Sequence, residues 1–198
     1  LDRLINLGLG VVISVLVGVI AYNLFWPQKE MDVSQPTPAE QVQEMTSKID
    51  EYITLGQLNA AQHSIDDAMK IATGIAGPEG PEVARVLEKR GMLKVKQGNA
   101  SAGMVDYEHA YSIFDKTNGM EFDSLKGVCV KMADVYFKRK EFDKAGVVLE
   151  RGIKAAEKAS DEDAQARFWR SLALVKEKSD KLDEAAECND KASRLSRN

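Results

Sequence analysis

The stretch Tyr52-Ile-Thr-Leu-Gly56-Gln-Leu-Asn59-Ala-Ala61-Gln-His-Ser-Ile-Asp-Asp-Ala68 carries a pattern that returns three times at a nearly fixed step. Asn59 corresponds to Ser101, Asp143 and Asp183, with steps of 42, 42 and 40 residues. Small residues keep the same steps two positions on (Ala61, Gly103, Ala145, Ala185) and nine positions on (Ala68, Ala110, Gly152, Ala192). Asn, Ser and Asp side chains accept bonds from the free N–H groups that open a helix, so these four read as N-caps of a second helix in each unit. The small residues then let that helix approach its partner closely. Units in fixed register predict stacked helix pairs. The fold class is therefore all-α: a single N-terminal transmembrane helix followed by an α-solenoid of four hairpins.

The small residues, with Leu58, Phe142 or Leu182 just before the expected cap and Ala100 in the second unit, resemble the tetratricopeptide repeat. Ala133-Asp-Val-Tyr136 running to Phe142-Asp-Lys-Ala145 carries the likeness most fully, together with Trp169-Arg-Ser-Leu172-Ala173 running to Leu182-Asp-Glu-Ala185. A step of 42 residues, against ~34 for the usual repeat, resembles the longer-helix variety of kinesin light chains. The likeness spans residues 39–197 and is weaker in the first two units, where Lys94 stands at the place of Tyr136. It implies a concave groove lined by the first helix of each unit. It says nothing of the partner.

Residues 4–26, Leu4 to Trp26, are uncharged and rich in Leu, Ile and Val. A helix of these 23 residues, at ~1.5 Å each, crosses a ~30 Å hydrocarbon core. Tyr22, Phe25 and Trp26 gather at one end as an aromatic belt, and Pro27 ends the helix. A secretory signal fits less well, because the apolar run is longer than a signal core of ~7–15 residues and no A-x-A-like site follows. Residues 1–26 are thus read as a membrane anchor, 27–37 as a short linker with Pro27 and Pro36, and 38–198 as the repeat domain. The chain begins at Leu1 rather than Met, and a preceding targeting segment is expected. Arg3 and Lys29 flank the anchor one to each side, so loop charge does not set its orientation.

Thr37-Pro38-Ala39-Glu40 supplies a cap, a proline at the first helical position and a glutamate at the third, which starts the first repeat near the bilayer. Ser160-Asp-Glu-Asp163 is a second start signal, opening the fourth unit. Breaks between units are expected at Gly74–Pro81, at Asn118–Gly119 and at Ser160. The glycine run Gly74 to Gly80 is a loop, not a phosphate cradle: Pro78 and Pro81 remove N–H donors and no Lys followed by Ser or Thr is in place.

Composition excludes other classes. The net charge of −4 falls on the part beyond the anchor, and there is no basic run to neutralise nucleic acid. Cys129 and Cys188 are too few for a disulfide framework and read as buried small side chains. The two histidines, His63 and His109, have neither metal-ligand spacing nor a neighbouring cysteine. Asp66-Asp67 and Asp161 to Asp163 solvate helix surfaces and complement helix dipoles. No catalytic residue, cofactor or metal is expected.

Two surfaces remain. On the anchor, Asn6, Gly10, Ser14 and Gly18 recur every fourth residue, a small and polar stripe against which another membrane helix can pack. On the repeats, the resemblance implies groove positions at Thr46, Ser47 and Asp50; Arg85, Glu88 and Lys89; Lys131 and Asp134; and Arg167, Arg170 and Leu174. Arg85, Lys89, Lys131, Arg167 and Arg170 make the later units cationic and suit an acidic segment. Asp50 stands where related domains place the Asn of a carboxylate clamp, which counts against a chaperone-type clamp. The expectation is a membrane-anchored, non-catalytic scaffold or accessory subunit of a membrane protein complex, in an organelle inner membrane, mitochondrial above plastid or bacterial. The other expectation is a transient chaperone or import receptor that reads an acidic client peptide.

Overall fold

A computed structural model describes residues 35–117 and 120–196. These form eight helices and no strand: α1 (Pro38–Thr54), α2 (Leu58–Ala76), α3 (Pro81–Lys96), α4 (Ala100–Asp115), α5 (Phe122–Lys138), α6 (Phe142–Lys158), α7 (Glu162–Lys178) and α8 (Leu182–Leu195). Each helix packs on the next, and the first helices also touch across units, α1 on α3 and α3 on α5. Four hairpins stack into a solenoid, as the repeat step predicts. The expected anchor of residues 1–26, with its Asn6, Gly10, Ser14 and Gly18 face, lies outside the described residues, as do the linker up to residue 34 and the Asn118–Gly119 break. Among the described residues no helix is long and apolar enough to cross a membrane.

The fixed step resides in the hairpin turns. The residues with left-handed backbone inside the hairpins are Gly56 (φ 75°), Gly98 (φ 85°), Lys140 (φ 60°) and Asp180 (φ 59°). They keep the steps of 42, 42 and 40. After each, one N–H reaches back five residues: Gln57 to the Tyr52 carbonyl at 2.8 Å, Asn99 to Lys94 at 2.8 Å, Glu141 to Tyr136 at 2.9 Å and Lys181 to Lys176 at 3.0 Å. This bond and the left-handed residue before it close each first helix and reverse the chain in three residues.

That tight reversal moves the caps. The second helices begin at Leu58, Ala100, Phe142 and Leu182, so the N-caps are Gln57, Asn99, Glu141 and Lys181, two residues earlier than the expected Asn59, Ser101, Asp143 and Asp183. Of these, Asn99 caps with its side chain, accepting from the Ala102 N–H at 3.1 Å. Asp143 and Asp183 instead place charge in the first turn, where the helix dipole favours it. The Thr37 and Glu40 capping box forms as predicted, with Pro38 opening α1. The Ser160 signal is shifted by one: Asp161 is the cap of α7 and accepts from the Ala164 N–H at 2.8 Å.

All eight registered small residues are buried. A Cβ on Gly103 would lie 2.6 Å from Val95 Cγ2 and 2.7 Å from the Gly91 carbonyl oxygen, and one on Gly152 would lie 2.5 Å from the Phe168 ring. The core runs the length of the stack through Ile49, Ile65, Leu93, Phe114, Met132 and Leu172, each contributing about 1.5–3 kcal/mol by leaving water. Cys129 and Cys188 are buried free thiols within or against it.

Unit two departs from the pattern for a reason the structure gives. Asp106 of α4 is buried and accepts from Arg90 Nε at 3.0 Å and Nη2 at 2.7 Å. Lys94 Nζ adds a third contact at 2.7 Å. Lys94 stands where units one and three carry Tyr52 and Tyr136, and it pairs a buried carboxylate that would be costly left unpaired; unit four also carries a lysine there, Lys176.

Candidate functional site

The five predicted groove cations all lie on first helices: Arg85 and Lys89 on α3, Lys131 on α5, and Arg167 and Arg170 on α7. Three of them are engaged by carboxylates of a neighbouring unit. Lys89 Nζ meets Asp50 Oδ2 of α1 at 2.6 Å. Lys131 Nζ meets Glu88 Oε1 of α3 at 2.6 Å, and Arg85 Nη2 meets Glu121, the N-cap of α5, at 2.6 Å. Arg85 also reaches Glu82 at 3.4 Å. These cations are half-buried, and the pairs form a ladder that crosses each boundary between units one and three. The groove there is closer to neutral than a count of its cations suggests.

The fourth unit differs. Arg167 donates from Nε to the Asp163 carbonyl at 3.2 Å, and Arg170 donates from Nη2 to Ser196 Oγ at 2.6 Å. Both are exposed, and among the described residues neither meets a carboxylate. Sequence reasoning placed the five cations, and Asp50 and Glu88 with them, in the groove, but missed the ion pairs and missed Glu121. The signal was present: Lys89 and Asp50 are 39 residues apart, Glu88 and Lys131 are 43, and Arg85 and Glu121 are 36. Opposite charges separated by one repeat meet across a stack.

Two hollows open between α5 and α7. One, of about 310 Å³, is lined by Asp123, Lys126, Gly127, Val130, Lys131, Ala164, Arg167, Phe168 and Ser171. The other, of about 300 Å³, is lined by Val130, Ala133, Asp134, Phe137, Leu149, Ser171, Leu174 and Val175. Val130 and Ser171 line both, so the hollows adjoin. Val130 is 53% exposed and Leu174 is 46% exposed, which leaves two large aliphatic side chains facing each other from neighbouring helices without cover.

Elsewhere the polar groups serve structure. His63 is exposed on α2, and His109 Nε2 lies 3.0 Å from Glu79 Oε1. Glu79 also takes Lys116 Nζ at 3.1 Å. Its hydrogen bonds to His109 and Lys116 hold its carboxyl below the usual range. Burial pushes the Cys129 thiol up to about 12, which keeps it protonated and unreactive. Among the described residues no group of three His, Cys, Asp or Glu side chains is placed to hold a metal ion.

No family model matches the sequence, and no curated protein matches it. Solved structures do share its fold. Over 84% of this chain and 67% of the other, it resembles BtubC (BKLC) from P. vanneervenii, at 18% identity and a TM-score of 0.67. Over 81% of this chain and 77% of the other, it resembles a putative kinesin light chain with nearly identical TPR-like repeats from Podosopora anserina, at 16% identity and a TM-score of 0.64. The helix pairs thus share the TPR-like repeat fold of these structures.

Proposed function

We propose that the chain is a non-catalytic scaffold, an accessory or assembly subunit of a membrane protein complex, anchored by residues 4–26 and holding protein partners on its repeats. The carrying observation is the open cleft between α5 and α7, with exposed Val130 and Leu174 on a fold of the tetratricopeptide type. An exposed apolar pair within a concave face marks a contact surface more than a chance exposure does. The anchor is supported by the length and lack of charge of residues 4–26, and its Asn6, Gly10, Ser14 and Gly18 face by the small-residue spacing that membrane helices use to pack. An organelle inner membrane is the proposed location, mitochondrial in preference to thylakoid or bacterial inner membrane, because two buried free thiols indicate no disulfide framework.

Purification of the full chain in mild detergent tests this reading, with stoichiometric co-purifying subunits expected. Recovery of the chain alone, under conditions that keep membrane complexes intact, would refute it. A second reading, a receptor for an acidic client segment, is favoured by Arg167 and Arg170, which are exposed and without carboxylate partners among the described residues. Fast, reversible and salt-sensitive binding distinguishes it from a permanent subunit.

A further inference from the structure

The ladder stops at one boundary, and the repeat register shows why. One repeat after Glu88 stands Val130, and one repeat after Lys131 stands Ser171, so the pair that bridges α3 and α5 has no counterpart between α5 and α7. One repeat after Arg85 stands Gly127, so the Arg85 to Glu121 bridge is also lost, leaving, among the described residues, only Lys126 and Asp161 at 3.8 Å. A Cβ on Gly127 would find no atom nearer than 3.8 Å. The substitutions therefore do more than remove charge. They open the hollow, and they leave Arg167 as the lining cation that has no carboxylate partner among the described residues.

Resting on the scaffold reading above, we infer that the α5 to α7 cleft is the primary partner site, and that it takes an extended peptide segment bearing an apolar side chain about three residues from a carboxylate. Arg167, Ser171 and Leu174 lie at helical positions i, i+4 and i+7 on one face of α7. Their levels along the helix differ by about 10 Å from first to last at ~1.5 Å per residue, which an extended chain covers in about three residues. The apolar side chain settles between Val130 and Leu174. The carboxylate meets the Arg167 guanidinium, whose planar fork suits it. Units one to three act as a pre-formed wall, held by their own ion pairs.

The test uses a displayed library of random short peptides, selected on the full chain in detergent micelles. The comparison is Val130→Glu with Ser171→Lys, which rebuilds the missing rung, and circular dichroism checks that the fold is kept. Enriched peptides are expected to carry an apolar residue about three positions from Asp or Glu, and to bind the double variant about tenfold more weakly or worse. Arg167→Glu is expected to cost about tenfold and to remove the acidic preference. Should the double variant not fold, Leu174→Asp, at an exposed position, carries the same comparison. Enriched peptides without that composition, or held equally by the variants, would overturn the inference. So would an absence of enrichment, or a dimer that the double variant dissolves, since a second copy would then fill the cleft. If subunits co-purify and the double variant retains them all, the cleft assignment fails while the scaffold reading stands. If peptides behave as expected but nothing co-purifies, the reverse holds.

Discussion

Lys131 Nζ lies 2.6 Å from Glu88 Oε1 across the boundary between units two and three. The Glu88 side chain is only 10% exposed, so its carboxylate depends on that one cation. Lys131→Met is expected to lower stability by about 1–3 kcal/mol, the cost of leaving a buried charge unpaired. Lys48→Met, which breaks an exposed, solvent-screened pair with Glu44, is expected to leave it essentially unchanged. Thermal unfolding of the two variants, with Glu88→Gln added to close a double-mutant cycle, checks the contrast. The same geometry disqualifies Lys89→Glu with Lys131→Glu as a simple probe of binding, since like charges would then face Asp50 and Glu88. Arg167→Glu is the cleaner reversal.

The hairpin turns give a second expectation. Lys140 and Asp180 occupy the left-handed turn positions that Gly56 and Gly98 fill in the first two units. A side chain there costs about 1–2 kcal/mol, less for Asp than for Lys. Lys140→Gly is therefore expected to raise the melting temperature by a few degrees, about 2–4 °C per kcal/mol for a chain of this size. Asp180→Gly should raise it less, and Gly98→Ala should lower it. An unchanged or lowered Tm for Lys140→Gly would mean that its turn relaxes out of the left-handed region at no cost.

The glycines within helices divide by what surrounds them. A Cβ on Gly152 would lie 2.5 Å from the Phe168 ring, wedged between α6 and α7. Gly152→Ala is expected to cost about 1–3 kcal/mol through overpacking. A Cβ on Gly127 would make only ordinary contacts, with Lys131 Nζ at 3.8 Å and Glu88 Oε1 at 3.9 Å, so Gly127→Ala should instead stabilise α5 by up to ~1 kcal/mol through helix propensity. Urea unfolding of both proteins reads the difference in sign.

Alkaline pH should destabilise the fold. Burial raises the Cys129 thiol to about 12 and the Tyr111 hydroxyl to about 12, and it raises Tyr107 as well. These groups stay neutral in the folded chain while the unfolded chain ionises them from about pH 8.5–10. Their contribution is complete below that range and is lost as pH rises towards 12. Unfolding midpoints measured from pH 8 to 11 should fall, and Cys129→Ala together with Tyr111→Phe should flatten the fall. A midpoint flat across the range would show that these groups are more hydrated than their burial indicates.

The repeat step, the buried small residues and the break at Ser160 were legible because each is a local rule of spacing, size or backbone freedom; the break expected over Gly74–Pro81 is shorter, residues 77–80, because α2 runs on through Gly74 to Ala76 and Pro81 already opens α3. The caps were not placed correctly. Asn59, Ser101, Asp143 and Asp183 have cap chemistry, but the left-handed residue before them starts the helix two residues sooner, and that residue is Lys140 or Asp180 in half the units, where no glycine advertises it. The five cations were placed on first helices. Their pairing was not legible from α3 alone, because Asp50, Glu88 and Glu121 act only across a boundary. The open cleft appears only when Val130, Ser171 and Gly127 are compared with the residues one repeat earlier.

A photo-cross-linking residue placed at position 130 or 174, in the cleft, and at position 105, on the exposed face of α4, asks most directly where partners sit. Val130, Leu174 and Val105 are all exposed, so none of the three substitutions disturbs the core. With the full chain expressed in cells, the expected result is that positions 130 and 174 cross-link to one partner protein in good yield while position 105 does not. Cross-links from position 105 with none from 130 or 174 would contradict partner binding in the cleft and move it to the second helices.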